Sequence, residues 1–222
     1  MGTDHSPAAE SPDLAQLEPE PAAAPAVFGD RIDLARSFAH HLATTGVEWG
    51  LLGPRELPRL WTRHILNCAV MAELLDEADV VGDIGSGAGL PGIALAIARP
   101  KVRFVLVEAM ERRVEWLQMV VADLGLDNVR IVRARVEELV DEEIFTVATA
   151  RAVKPLPVLI EWCTPVLGPD GRLLAIKGQS YAAEIQKAQK HIKRFRLTQP
   201  RVHSLGQDVL EVPTTVVELQ RR

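Results

Sequence analysis

The run Gly85-Ser86-Gly87-Ala88-Gly89-Leu90-Pro91-Gly92 carries four glycines in eight residues and follows directly on the β-prone stretch Val80–Ile84. Glycines at a strand-to-helix turn adopt positive φ and let main chain approach a ligand closely, and the first N–H groups of the following helix face negative atoms. Such a loop suits a nucleoside cofactor. Glu108 ends the next β-prone run, 23 residues after Gly85, where a carboxylate can accept hydrogen bonds from both hydroxyls of a ribose. Gly87-Ala88-Gly89-Leu90-Pro91-Gly92 also satisfies the dinucleotide pattern GxGxxG, so Gly85, Gly87 and Glu108 leave both a nicotinamide dinucleotide and S-adenosylmethionine open. A dinucleotide enzyme normally adds a second nucleotide-binding half and a substrate domain, for which 222 residues leave little room; the balance favours S-adenosylmethionine.

A second set of residues is cationic. Arg151 closes the fourth β-prone run, at the sheet edge where ligands of open α/β sheets gather, and its planar fork fits a carboxylate, a phosphate or a base oxygen. Lys187, Lys190, Lys193, Arg194, Arg196 and Arg201 form a basic run with no acid between Ile185 and Gln207. That run can track phosphates, or it can be a solvated helix face followed by a guarded edge strand. Arg59 and Arg63 share a helix face at i,i+4, with His64 adjacent and Arg55 just before, which makes a second basic patch. The net charge of −5 does not oppose an RNA partner: Asp4, Glu10, Asp13, Glu18 and Glu20 lie in residues 1–26 without any Lys or Arg, leaving 25 acids against 25 bases elsewhere.

Cys68 and Cys163 are far apart and lack metal-ligand spacing, so neither a disulfide framework nor a metal site is expected. Cys163, in Glu161-Trp162-Cys163, reads as a buried structural residue, and Trp61 and Trp116 sit at core spacing. No apolar run nears the roughly 18 residues of a membrane span, and no basic-then-apolar leader opens the sequence, so a reducing cytoplasm is the expected setting.

These residues need a scaffold, and the patterning supplies one. Residues 1–26, rich in Pro, Ala and Glu, are expected to be a disordered acidic tail. Residues 27–78 carry apolar side chains at helical spacing and read as a small helical subdomain of two or three helices. From residue 79 to 222 short β-prone runs alternate with amphipathic ones: strands at 80–84, 103–107, 129–132, 146–150 and 172–176, helices at 91–99, 111–124 and 155–167, and a turn near 136–140. Runs 195–203 and 214–219 are too close for a helical crossover and should pair antiparallel. The expected fold is α/β and Rossmann-like: a seven-stranded, mostly parallel sheet with an antiparallel C-terminal pair, as in class I methyltransferases.

The run Asp83-Ile84-Gly85-Ser86-Gly87-Ala88-Gly89-Leu90-Pro91-Gly92-Ile93 resembles the signature of the small-subunit ribosomal RNA guanine-N7 methyltransferases, the RsmG or GidB family. Arg63-His64-Ile65-Leu66-Asn67, Arg135-Val136-Glu137-Glu138, Arg151-Ala152 and Lys177-Gly178 are similar to it as well, so the likeness runs from about residue 30 to 222. The resemblance implies that S-adenosyl-L-methionine contacts Gly85, Leu90, Val136, Glu137 and Arg151. It adds Lys177 to Arg59, Arg63, His64, Lys193 and Arg194 as candidates for contact with 16S ribosomal RNA in the small subunit. It further implies a monomeric cytoplasmic enzyme. Asn67 and Glu108 depart from it, since the family usually places Asp at the first position and commonly at the second.

Methylation of guanine N7 uses a free lone pair and removes no proton beforehand, so alignment and a charged, dry pocket can supply the catalysis. Two absences agree with that chemistry. Ala150-Arg151-Ala152-Val153 replaces the Asp/Asn-Pro-Pro-aromatic motif of amine methylation, and no Pro-Cys pair offers a nucleophile for cytosine carbon. A nicotinamide oxidoreductase and a non-catalytic RNA-binding protein are the competing readings, which cofactor titration and a turnover assay separate.

Overall fold

The computed structural model describes residues 14–222. Its sheet has seven strands in the order β3-β2-β1-β4-β5-β7-β6, where β1 is Val80–Ile84, β2 Arg103–Glu108, β3 Val129–Arg133, β4 Phe145–Arg151, β5 Leu167–Lys177, β6 Arg201–Leu205 and β7 Thr214–Gln220. Strands β1 to β5 run parallel, and β7 joins β5 antiparallel with β6 outside it. The seven-stranded sheet and its antiparallel closing pair are as the sequence implies.

Side-chain alternation divides the interior into two cores. Val81, Phe104, Leu106, Val147, Leu174, Ile176 and Val216 point to one face; Ile84, Val105, Val107, Ala148, Leu173, Ala175, Val217 and Leu219 point to the other. That period of two means the inner strands β1, β2, β4, β5 and β7 are buried on both faces and need a helical layer on each, while β3 and β6 at the edges stay largely accessible. α1 (Ala24–Phe28), α2 (Ile32–Ala43), α3 (Thr45–Glu48), α4 (Asn67–Ala69), α5 (Gly92–Ala98) and α6 (Glu111–Asp123) belong to the first layer; α7 (Leu156–Cys163) and α8 (Tyr181–Arg194) form the second. Trp61 and Trp116 are packed in the first core, with Trp116 Nε1 donating to Thr45 Oγ1 at 3.0 Å. No helix among the described residues is long and apolar enough to cross a membrane.

Residues 27–78 pack on the core of the sheet, with Phe38, Leu42, Leu66 and Met71 in the cluster that holds Val81 and Leu106. Two expectations change. β5 begins at Leu167 rather than 172, since Gly168-Pro169-Asp170-Gly171 bulges within the strand and shifts its register against β4. The stretch 195–203 is not one strand: Leu197 makes a single bridge to Arg221, and β6 starts only at Arg201.

Part of the stretch expected to be a tail is docked on the core. Residues 1–13 lie outside the described residues, but 14–26 are docked. Ala24 is fully buried and Leu17 packs on the first core, the Glu18 N–H donates to Leu57 O at 2.9 Å, and Glu20 takes the Arg36 fork at 2.6 and 2.9 Å. Pro19, Pro21 and Pro25 restrict the unfolded chain, so ordering this stretch costs less entropy than its polarity suggests. Glu18 Oε2 also accepts the Thr62 N–H at 3.0 Å, near the start of the turn Leu60–Leu66, where helical N–H groups lack partners. Glu18→Ala is therefore expected to lower stability by about 1 kcal/mol, read from urea denaturation; no shift in midpoint would mean the bond contributes nothing.

Candidate functional site

Strand order reverses between β1 and β4, and the crevice outside their carboxyl ends is where open α/β sheets bind ligands. Here it is a cleft of about 570 Å³. The glycine loop forms its floor: the N–H groups of Gly85 and Ser86 both donate to Val107 O, at 2.8 and 3.1 Å, which ties the loop to the end of β2. Gly85 (φ +73°) lies so near Val153 that a Cβ would come within 3.0 Å of its side chain, whereas a Cβ on Gly87 (φ +55°) would meet nothing closer than 3.8 Å. Gly85 thus serves packing, and Gly87 leaves backbone bare at the cleft.

Glu108 is 5% exposed, with Oε2 accepting Gly87 N–H at 3.1 Å and Oε1 accepting Met110 N–H at 2.9 Å. Arg113 Nη1 stands 3.5 Å from Oε2. Each carboxylate oxygen keeps a further lone pair, so both can still accept a ribose hydroxyl. Leu90, Val136, Glu137 and Arg151 line the same cleft, which brings together all seven residues expected to contact a cofactor. Val136 is buried at its wall, presented by the short turn Val136–Leu139, while Glu137 is exposed.

Sequence reading missed Asp83. It is 1% exposed beneath the loop, Oδ2 accepts Gly92 N–H at 3.0 Å, and Oδ1 has no hydrogen-bond partner among the described residues. Burial, with the Glu108 charge adding to it, pushes its carboxyl up to about 7 against the Gly92 N–H bond. An acid inside the apolar run Val80-Val81-Gly82-Asp83-Ile84 was the available signal. Trp162, on α7, also borders the cleft, with Lys154 Nζ 5.8 Å from its ring. Cys163 is buried, and burial pushes its thiol up to about 12, so it offers no thiolate.

The expected RNA contacts do not converge. His64 is 9% exposed: Nδ1 lies 2.8 Å from Arg151 Nη2 and Nε2 lies 2.7 Å from Glu56 Oε2, so it faces the protein rather than a phosphate. Lys177 is also turned inward, held at 2.9 Å by both Glu184 Oε2 and Lys154 O. Arg59 spends its fork on Glu56 at 2.6 and 3.0 Å, and Arg63, with Nε 3.7 Å from the same carboxylate, is the most open of these four. Lys193 and Arg194 are exposed at the far end of α8, which at about 1.5 Å per residue stands some 18 Å from the end that follows β5. Arg194 borders a second concavity there with Arg196, Arg221 and Arg222. Arg63 adjoins Arg151 of the cleft through its own carbonyl, whereas Lys193 and Arg194 lie at the last turn of α8.

A family model described as GidB, rRNA small subunit methyltransferase G, matches residues 31–212. The chain is similar to proteins named Ribosomal RNA small subunit methyltransferase G: 52% identical to that of Pseudarthrobacter chlorophenolicus, over 89% of this chain and 91% of the relative. The Renibacterium salmoninarum protein is 52% identical over 93% and 96%, and the Mycobacterium marinum protein 50% over 90% and 88%. Among solved structures, M. jannaschii TYW2 in complex with AdoMet superposes with a TM-score of 0.57 at 18% identity, over 73% of this chain and 78% of that one. A SAM-dependent O-methyltransferase from Thermotoga maritima gives 0.54 at 17%, over 70% and 64%. At such identities the likeness speaks for the fold alone.

Proposed function

The chain belongs to the GidB family of rRNA small subunit methyltransferases, and from that premise we propose that it transfers the methyl group of S-adenosyl-L-methionine to N7 of one guanine in 16S ribosomal RNA. The observation that carries the reading is the convergence, in one cleft, of the glycine loop with its bare Gly87 backbone, the Glu108 carboxylate, the Val136–Glu137 turn and Arg151.

The cleft fits that cofactor. Glu108 has free lone pairs for two ribose hydroxyls, Leu90 and Val136 offer apolar contact to a flat base, and Gly87 presents main chain with no side chain in the way. Arg151, cationic at the end of β4, suits the methionine carboxylate. When bound, the cofactor supplies an electrophilic methyl group on a sulfonium. The protein's part is to hold that group in line with the guanine lone pair and to keep water away. N7 carries no proton, so no side chain needs to act as a base, and the inert thiol of Cys163 is not required either.

The substrate belongs to the small ribosomal subunit, and the proposed enzyme works in the cytoplasm as a monomer. Arg63, exposed beside the Arg151 network, is the favoured RNA contact of the original six. The test is incubation with methyl-labelled S-adenosylmethionine and small subunits lacking the modification, followed by cleavage specific to 7-methylguanosine. Label at one guanine is the expected result. Cofactor binding without label on subunits or free 16S RNA would leave the fold and overturn the substrate, as a non-catalytic RNA-binding protein requires.

A further inference from the structure

Arg151 reaches the cleft from β4, but its guanidinium is held by the opposite layer. One terminal nitrogen, Nη2, donates to Arg63 O at 3.1 Å and to His64 Nδ1 at 2.8 Å. Both acceptors belong to the π-helical turn Leu60–Leu66, a wider winding than the α-helix and one frequent at functional sites. A guanidinium nitrogen only donates, so Nδ1 must offer its lone pair and the imidazole proton must sit on Nε2. Nε2 in turn points at Glu56 Oε2, 2.7 Å away. Glu56 itself is fixed by the Arg59 fork, and that contact, with His64 beside it, brings its carboxyl down to about 2. The result is a directed chain: Arg59 orients Glu56, Glu56 selects the tautomer of His64, and His64 holds one edge of Arg151 while Arg151 also lines the cleft.

We propose that Glu56 and His64 are positioning residues that fix the Arg151 fork for the cofactor carboxylate, and that protonation of His64 releases it. The proposal rests on the reading of the cleft as an S-adenosylmethionine site. The charged groups around the imidazole are Arg151 from β4, Glu56 from the turn Pro54–Arg59 and Arg63 from its own turn; Cys68 of α4 and Asp83 of β1 act on Arg151 from the core side. Burial, then the Arg151 charge, hold the His64 pKa below its ordinary value against the pull of Glu56, so the imidazole is neutral at pH 7. A second proton on Nδ1 would set N–H against N–H and break the contact with Nη2.

The test is S-adenosylmethionine affinity, by calorimetry on the full chain, at several pH values for wild type, His64→Leu, His64→Gln, Arg151→Met and the Leu/Met double variant. His64→Leu removes the acceptor, and about a tenfold loss of affinity is expected at neutral pH. Glutamine reproduces the neutral tautomer, an oxygen toward Arg151 and an N–H toward Glu56, yet cannot titrate. His64→Gln should therefore rescue binding to within about threefold of wild type and abolish the loss of affinity that wild type shows as pH falls below the range of about 6.5 where histidine titrates. The double variant should bind no worse than Arg151→Met alone, because the two residues act through one contact. Additive losses in the double variant, or an acid limb kept in His64→Gln, would overturn the positioning role while the cofactor site stood. Failure of wild type to bind S-adenosylmethionine at any pH would instead overturn the reading of the cleft, and the relay with it.

Discussion

Exchanging Glu108 for alanine is expected to weaken S-adenosylmethionine binding about a hundredfold or more, read by calorimetric titration. Two hydrogen bonds from ribose hydroxyls to an ionised carboxylate are worth about 1.5 to 3 kcal/mol each, and about 1.4 kcal/mol is a factor of ten in affinity. The lower bound of that pair already gives two decades. A further loss comes from the protein itself, because Glu108 accepts the N–H groups of Gly87 and Met110 and so braces the loop whose bare backbone borders the cofactor. Glu108→Gln separates the parts: its carbonyl oxygen can keep one of the two N–H groups, while its amide nitrogen opposes the other. It should fall between wild type and alanine. If Glu108→Ala bound within about threefold of wild type, Glu108 would be a loop brace only and the ribose would have to sit elsewhere.

The parts of this site that were legible in the sequence are those fixed by local chain geometry. Gly85 and Gly87 follow β1 because a strand must turn sharply into α5, and Glu108 and Arg151 stand at strand ends because β2 and β4 run parallel beside β1 and in register with it. Strand, loop and helix repeat in a regular order, so placing one glycine loop places its neighbours. Cations were legible as charges but not as free charges. Whether Lys177 meets RNA or Glu184 depends on α8 folding back along β5, and whether His64 faces solvent depends on Glu56, eight residues away, and on Arg151 from another layer. A sequence shows that a cation exists; only packing shows which carboxylate takes it. The docking of residues 14–26 was hidden for a related reason, since its anchors are scattered contacts, among them Glu18 to Thr62 and Glu20 to Arg36, with no periodic pattern.

Asp83 yields the second large effect, on stability rather than binding. The unfolded chain releases this proton near pH 3.8, whereas burial holds the folded carboxyl up at about 7. Between those values the native protein binds a proton that the unfolded chain has lost, so the unfolding free energy must fall as pH rises. The stability is fully present below the unfolded pKa and is gone above the folded one. One pKa unit corresponds to about 1.4 kcal/mol, which bounds the loss at about 4 kcal/mol across the window. The depressed carboxylates do not blur the effect: Glu56, brought to about 2 by Arg59, loses its contribution only as pH drops from 4.5 toward 2. Asp83→Asn keeps an oxygen for the Gly92 N–H but cannot titrate. Urea denaturation at pH 4.5, 6 and 8 should therefore show wild type losing stability with rising pH relative to Asp83→Asn, whatever constant offset the amide brings. A constant difference between the two proteins over that range would mean that Asp83 is ionised throughout, and that the buried, unpartnered Oδ1 is compensated by a group the cleft supplies.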